Sequence, residues 1–256
     1  FTEVTINGID NLSLAVLPAV PLLTGKILIP VGEKLEKVVV NFSEEQFFDL
    51  ESPVIPASHV HPFFLSNLAT KELKGDKKVY DSAKEFPEQK FTYNLQKYLG
   101  YEILLINLYP VAFLPKAEKL RVAGSVEVEV FTTPDGKLDK NLRGLKADLK
   151  KISKFVDNPE KLPLLDRDTP PKYEYIIITN KVLYDSAEPF NFMTLLGKRI
   201  KNGLTGKIEL TGDIEKNYQG KNLAEKIRNY ISFAYRTYGT KYVLLGGDAD
   251  ASSMMV

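Results

Sequence analysis

The chain has 256 residues, 44% of them hydrophobic and 26% charged, with 34 Lys and Arg against 33 Asp and Glu for a net charge of +1. That is the make-up of a folded globular protein of about two domains rather than a disordered chain, and the balanced charge speaks against a nucleic-acid or polyanion binder. No apolar run approaches the length of a bilayer span, and the absence of cysteine excludes disulfides, thiolate metal sites and a cysteine nucleophile within these residues.

Residues 1–133 read as all-β. Phe1 opens a polar stretch, so no secretory signal is expected at the head of this sequence; a targeting segment has been removed or was never there. The clearest strands are 26–30, 35–42, 101–108, 120–122 and 125–132, rich in β-branched and aromatic residues and separated by Pro and Gly. In the last of them Val126, Val128 and Val130 alternate with Glu127 and Glu129, the period of a half-buried antiparallel strand. Several such strands with turn signals between them predict an antiparallel β-sandwich over 1–150. Pro134-Asp135-Gly136 is a turn by residue chemistry.

Within 137–154, Leu142, Leu145, Leu149 and Ile152 fall at roughly helical spacing among many charges, which predicts a short amphipathic helix. Asn158-Pro159, Leu162-Pro163 and Pro170-Pro171 then mark 151–171 as an extended connector between domains, because prolines at that density break helices and strands alike. Residues 172–256 read as β-α-β-α-β. Tyr175–Thr179 is a short continuous apolar run, as in a strand buried on both faces. Pro189 is placed in the first turn of a helix whose apolar positions are Phe190, Met193, Leu196 and Ile200, stopped at Gly203. A strand over 207–210 follows. Asn222 and Glu225 form a capping box for a helix with the stripe Leu223, Ile227, Ile231 and Ala234, ended by Gly239. The strand 242–245 then runs into Gly246-Gly247-Asp248. Such alternation implies a parallel sheet with right-handed crossovers. Parallel sheets usually have more than three strands, so the sequence is expected to be the front part of a longer protein.

Few segments carry chemistry. Gly246-Gly247-Asp248-Ala249-Asp250 follows a parallel strand, where open α/β sheets bind ligands, and its carboxylates suit a hard cation such as calcium or magnesium. It also reads as a solvated acidic turn or a helix cap. His59 and His61, the only histidines, lie at i and i+2 and would supply two corners of a zinc site, but no further ligands are evident. The charge runs 71–78 and 137–154 read as solvated faces or basic loops open to trypsin-like cleavage. Tyr230, Tyr235 and Tyr238 read as packing residues, and Asn11-Leu12-Ser13 and Asn41-Phe42-Ser43 match the glycosylation pattern.

Tyr242-Val243-Leu244-Leu245-Gly246-Gly247-Asp248, preceded by Glu225-Lys226-Ile227-Arg228-Asn229-Tyr230-Ile231 and Ala234-Tyr235, resembles the start of the catalytic domain of gingipain-type cysteine peptidases. Tyr175–Thr179 and the helix 190–201 with Gly203 sit where that family has its first strand and helix. Pro18-Ala19-Val20-Pro21-Leu22-Leu23, Gly100-Tyr101-Glu102, Tyr109-Pro110-Val111, Phe113-Leu114-Pro115 and 120–130 resemble the family's prodomain. The resemblance implies an α+β, two-domain organisation: a β-sandwich prodomain (1–150), the connector (151–171) and the first part of a caspase-like α/β domain (172–256). It implies a secreted or cell-surface zymogen of an endopeptidase acting on proteins or peptides. Its Cys nucleophile and partner His would lie downstream of Val256, so no catalytic residue is assigned here. Asp248 matches a ligand of a structural calcium, and no cofactor is required for the chemistry. The stretch from Pro56 to Asn67 matches the loop that blocks the active-site cleft with a basic residue in relatives. Here it holds no Arg or Lys, so His61 or Phe63 would fill the specificity pocket, implying a preference for bulky apolar or aromatic residues. Arg167 in the connector is the candidate processing site. The alternatives are a non-enzymatic adhesion or assembly module built from a β-sandwich and a degenerate α/β domain, and a magnesium-dependent phosphoryl-transfer domain using Asp248 and Asp250.

Overall fold

The computed structural model describes residues 1–57, 74–164 and 171–247. It is a mixed α/β chain with several antiparallel sheets and one parallel sheet. Two compact units emerge: Phe1–Leu138 with Lys150–Leu164, and Asp139–Leu149 with Leu165–Val256.

The first unit holds β1 (Leu23–Leu28), β2 (Glu33–Ser43), β3 (Gln46–Asp49), the short helix α1 (Lys77–Tyr80), β4 (Phe91–Tyr98), β5 (Tyr101–Leu108), β6 (Val111–Leu114), β7 (Lys119–Val122) and β8 (Ser125–Pro134). All of its strand pairs are antiparallel, in the sheets β1-β5-β4, β2-β8 and β3-β7-β6. In β2-β8 the predicted alternation holds. Val126, Val128 and Val130 pair with Phe42, Val40 and Val38 on the half-buried side, while Glu127 and Glu129 are exposed. The strands β3 and β4 were not anticipated from sequence, whereas β6 falls on the stretch that resembles a late prodomain strand. β4 joins β5 through Leu99 and Gly100, both at positive φ (53° and 84°), as a two-residue hairpin turn requires.

One core of this unit gathers Val20, Val54, Val111, Phe113 and Leu120, with Tyr80 and Phe86 packed against it. Asp76 caps α1 by accepting from the Lys78 amide at 2.9 Å, which aims Tyr80 inward. The Tyr80 hydroxyl donates to the Val54 carbonyl at 2.8 Å, and its ring lies 5.7 Å from that of Phe113. Burial pushes the phenol up to about 12. An unfolded chain with an ordinary phenol, near ~10, loses that proton first, so this stabilisation is intact below pH ~10 and is lost as pH rises towards the folded value. Tyr80→Phe is expected to cost about 1 kcal/mol at neutral pH and to make the alkaline decline in thermal stability shallower. An unchanged alkaline slope in melts of the variant would contradict this assignment.

Residues 150–164 close the outer edge of β1 with side chains in place of a strand. Asp157 accepts from the Lys26 amide at 2.7 Å, and Asn158 accepts from the Leu28 amide (2.7 Å) and donates to its carbonyl (3.1 Å). Part of the expected connector is thus tied down before the prolines begin. The helix expected over 137–154 is shorter: α2 covers Lys146–Ser153. Nor is that charge run merely a solvated face, since Asp148 and Ile152 are buried.

The second unit is built on β9 (Tyr175–Thr179), α3 (Lys181–Tyr184), α4 (Phe192–Lys201), β10 (Gly206–Leu210), α5 (Thr211–Asn217), α6 (Leu223–Tyr238) and β11 (Tyr242–Gly246). The strands are parallel in the order β10-β9-β11. All five residues of β9 are buried. Ile176 and Ile178 pack with Ile214, Ile227, Tyr230 and Ala234 of α5 and α6, and Tyr175 and Ile177 pack with Leu196 of α4. Helices therefore cover both faces, as parallel strands demand. The capping box is present: Asn222 accepts from the Glu225 amide at 2.9 Å, and the Glu225 carboxylate accepts from the Lys221 amide at 2.6 Å. Gly239 takes the left-handed position (φ 72°) that ends α6.

Two readings need correction. Pro189 lies outside α4, whose cap is Asn191, accepting from the Thr194 amide at 2.9 Å. Of the predicted α4 stripe only Leu196 is buried. Phe190, Met193 and Ile200 are exposed, and Phe192 and Leu195 pack inward in their place.

Candidate functional site

The carboxyl ends of the parallel strands come out level, with Thr179 in register with Leu210 on one side and Gly246 on the other. The chain moves from β9 to β10 on one side and then crosses to β11 on the other. The strand order therefore reverses at the β9–β11 junction, where open α/β sheets place ligands. The buried Thr179 hydroxyl bridges that junction, donating to the Gly246 carbonyl at 2.9 Å. Asn180 turns the chain away from it by capping α3, accepting from the Leu183 amide at 2.9 Å. Gly246 has no room for a side chain, because a Cβ there would run into the Phe192 ring. The absence of a side chain at Gly246 thus lets the carboxyl end of β11 close on α4.

Beside this edge α3 and α4 enclose a mainly apolar groove of about 340 Å³, with Leu183, Phe190, Phe192 and Leu195 on its walls and Lys198 at its rim. Sequence reading missed it; the exposed Phe190, placed there in the helix's apolar stripe, was its signal. At the opposite edge of the sheet Lys241 donates to Glu174 at 2.5 Å, and that bond holds the Glu174 carboxyl below its ordinary range. The Tyr230 hydroxyl donates to Glu209 at 2.9 Å, and burial first, then this bond, raises its phenol strongly. The Lys241–Glu174 contact ties the amino ends of β11 and β9, whereas Glu209 lies one residue before the carboxyl end of β10, where Tyr230 of α6 holds it.

The sequence-predicted site residues Asp248, His61, Phe63 and Arg167 all lie outside the described residues, as do His59 and Asp250. Among the described residues no group of three or more acidic or histidine side chains could hold a metal ion. No described helix is long and apolar enough to cross a membrane. The tyrosines of α6 are packing residues: Tyr230 is buried and Tyr238 meets Tyr173 edge-on at 5.2 Å. Of the two glycosylation-pattern asparagines, Asn41 is exposed on β2, whereas Asn11 spends its amide on the Val4 carbonyl at 2.8 Å. The described part of this edge can therefore shape a ligand crevice and supplies no nucleophile to it.

Comparison with known proteins gives two adjoining family matches. Residues 1–157 match the propeptide family Propeptide_C25, and residues 168–255 match peptidase family C25. No curated protein matches the chain. Among solved structures, a complex of the Porphyromonas gingivalis RgpB pro- and mature domains is 18% identical, with a TM-score of 0.44 over 60% of this chain and 77% of that one. A structure addressing the zymogenic latency of gingipain K from the same organism is 19% identical, with a TM-score of 0.40 over 50% of this chain and 71% of that one.

Proposed function

From the premise that this chain belongs to the gingipain-type C25 peptidases, carrying a propeptide followed by the start of the peptidase domain, we propose that it is the latent front part of a secreted or cell-surface cysteine endopeptidase. The observation that carries this reading is the order of the two matches: propeptide first, peptidase second, with 158–167 between them. Residues 1–150 would act as a sandwich-type prodomain, with 151–171 as connector and 172–256 as the opening of a caspase-like domain. The chain has no cysteine, so the nucleophile and its histidine belong to the remainder of the peptidase domain, expected beyond residue 256. There the thiolate attacks the scissile carbonyl, and the histidine takes up the thiol proton and returns it to the leaving amine. Substrates would be proteins or peptides.

In this reading the loop from Pro56 to Asn67 lies in the substrate cleft until it is removed, with His61 or Phe63 in the specificity pocket. Cutting after Arg167 would separate the propeptide from the peptidase. A structural calcium would take Asp248, two positions beyond Gly246 in the sequence, as one ligand and would need most of its six to eight oxygens from elsewhere. Profiling the processed full-length enzyme with a peptide library tests the function and the pocket together. The expected result is cleavage, abolished by thiol alkylation, after bulky apolar or aromatic residues. Cleavage only after Arg or Lys would overturn the pocket assignment, and no thiol-dependent cleavage would overturn the function.

A further inference from the structure

We propose, resting on the zymogen reading, that the propeptide is anchored to its own peptidase domain by the segment Asp139–Leu149, with Arg143 gripping the end of helix α6. The segment lies inside the propeptide match (1–157), yet it packs as part of the compact unit that holds the peptidase match (168–255). The grip is specific. The Arg143 fork closes on Asp148 at 2.8 and 2.6 Å, with only 8% and 1% of the two side chains exposed. This pair fixes the plane of the guanidinium, whose centre lies 4.1 Å from the centroid of the Tyr235 ring. The third nitrogen donates to the Tyr235 carbonyl at 3.4 Å. That carbonyl is in the last turn of α6, where backbone acceptors run out of helical partners and the helix dipole favours a cation.

The charges assign the roles. Arg143 and Asp148 both belong to the propeptide segment, so undocking exposes their ion pair without breaking it. The bonds given up are those to Tyr235. Remove the guanidinium and a buried carboxylate is left facing the negative end of α6, which favours undocking. The anchor precedes 158–170, so a cut at Arg167 leaves it on the propeptide fragment. Cleavage would thus not by itself release the propeptide, and escape would follow the lifetime of this contact.

The test uses the full-length zymogen, cut at a specific protease site placed within 165–170. It reads both co-elution of the two fragments and the rate at which they separate. The expected result is a wild-type pair that co-elutes. Arg143→Ala should separate on the order of a hundredfold faster, because a buried ion pair has lost one member. Tyr235→Ala, which leaves the ion pair whole, should separate about tenfold faster through loss of the cation–π contact. Arg143→Lys, which keeps the charge and loses the fork, should fall between wild type and Arg143→Ala. Separation of both alanine variants at the wild-type rate overturns the anchor. If Arg143→Ala does not fold, Tyr235→Ala decides by the same comparison. Full activity in a cut wild-type pair that still co-elutes would sink the zymogen reading and leave the anchor standing.

Discussion

Ile177→Ala is expected to remove about 2–5 kcal/mol from the stability of the second unit, the range for large-to-small changes in well-packed cores. Ile177 has no exposed surface and sits in the middle of β9, the strand that both β10 and β11 pair with. It packs with Tyr175 and Leu196 and is lined by Phe192, Leu195, Ile208 and Leu244. The opposite face of β9 is held by α5 and α6 and the neighbouring strands are fixed by backbone bonds, so little can collapse into the void. Ile177→Val, which removes one methylene, should cost about 0.5–1.5 kcal/mol. Urea unfolding by circular dichroism, with hydrogen exchange at the β9 amides, measures both; equal losses in the two variants would mean that the strand is not the packed centre described here.

Arg121→Ala is expected to cost about 3 kcal/mol of stability in the first unit near neutral pH, at the low end of the range for breaking a buried ion pair. The Arg121 side chain is 5% exposed and donates to Glu85 (2.9 and 3.3 Å) and Glu45 (3.0 Å), while Lys90 donates to Glu45 at 2.6 Å. Glu45 and Glu85 keep 29% and 28% of their side-chain exposure, so water can take over part of their pairing, which places the cost at the low end. The hydrogen bond from Lys90 first, and then the charges of Arg121 and Lys90, hold the Glu45 carboxyl below its ordinary value. A lowered acid stabilises the fold above the unfolded carboxyl value, and that contribution is lost as pH falls through the folded one. The penalty of Arg121→Ala should therefore shrink in acid. A penalty that is the same at pH about 7 and about 3 would contradict the network.

Periodicity made the parallel unit legible, because its central strand is buried on both faces and its longest helix carries an amphipathic stripe with side-chain caps. Tyr175–Thr179, the Asn222–Glu225 box and the Gly239 stop needed no tertiary information. What failed were features that depend on packing partners. Leu99 at positive φ disguises the β4–β5 turn, since a turn of that kind normally shows Asn or Asp there. The α4 spacing gave the helix but the wrong face, because Met193 and Ile200 are apolar at helical intervals and yet exposed. α5 follows β10 without a loop or a capping side chain, so nothing local marks its start. Arg143 and Asp148 lay hidden in a charge run that resembles any solvated surface, and only the burial of their pair and the contact of Arg143 with α6 separate them from it. The candidate site was legible as a place, the end of the strand leading to Gly246-Gly247, through the rule for parallel sheets. The groove between α3 and α4 was not, because it arises from how two helices meet.

The measurement that bears most directly on the account is peptide hydrolysis by the full-length protein before and after its connector is cut, each with and without iodoacetamide. The account predicts an inert intact protein, activity that rises together with loss of the propeptide, and abolition of that activity by alkylation. Equal hydrolysis by the intact protein and by the cut protein freed of its propeptide, or hydrolysis that survives alkylation, would contradict it.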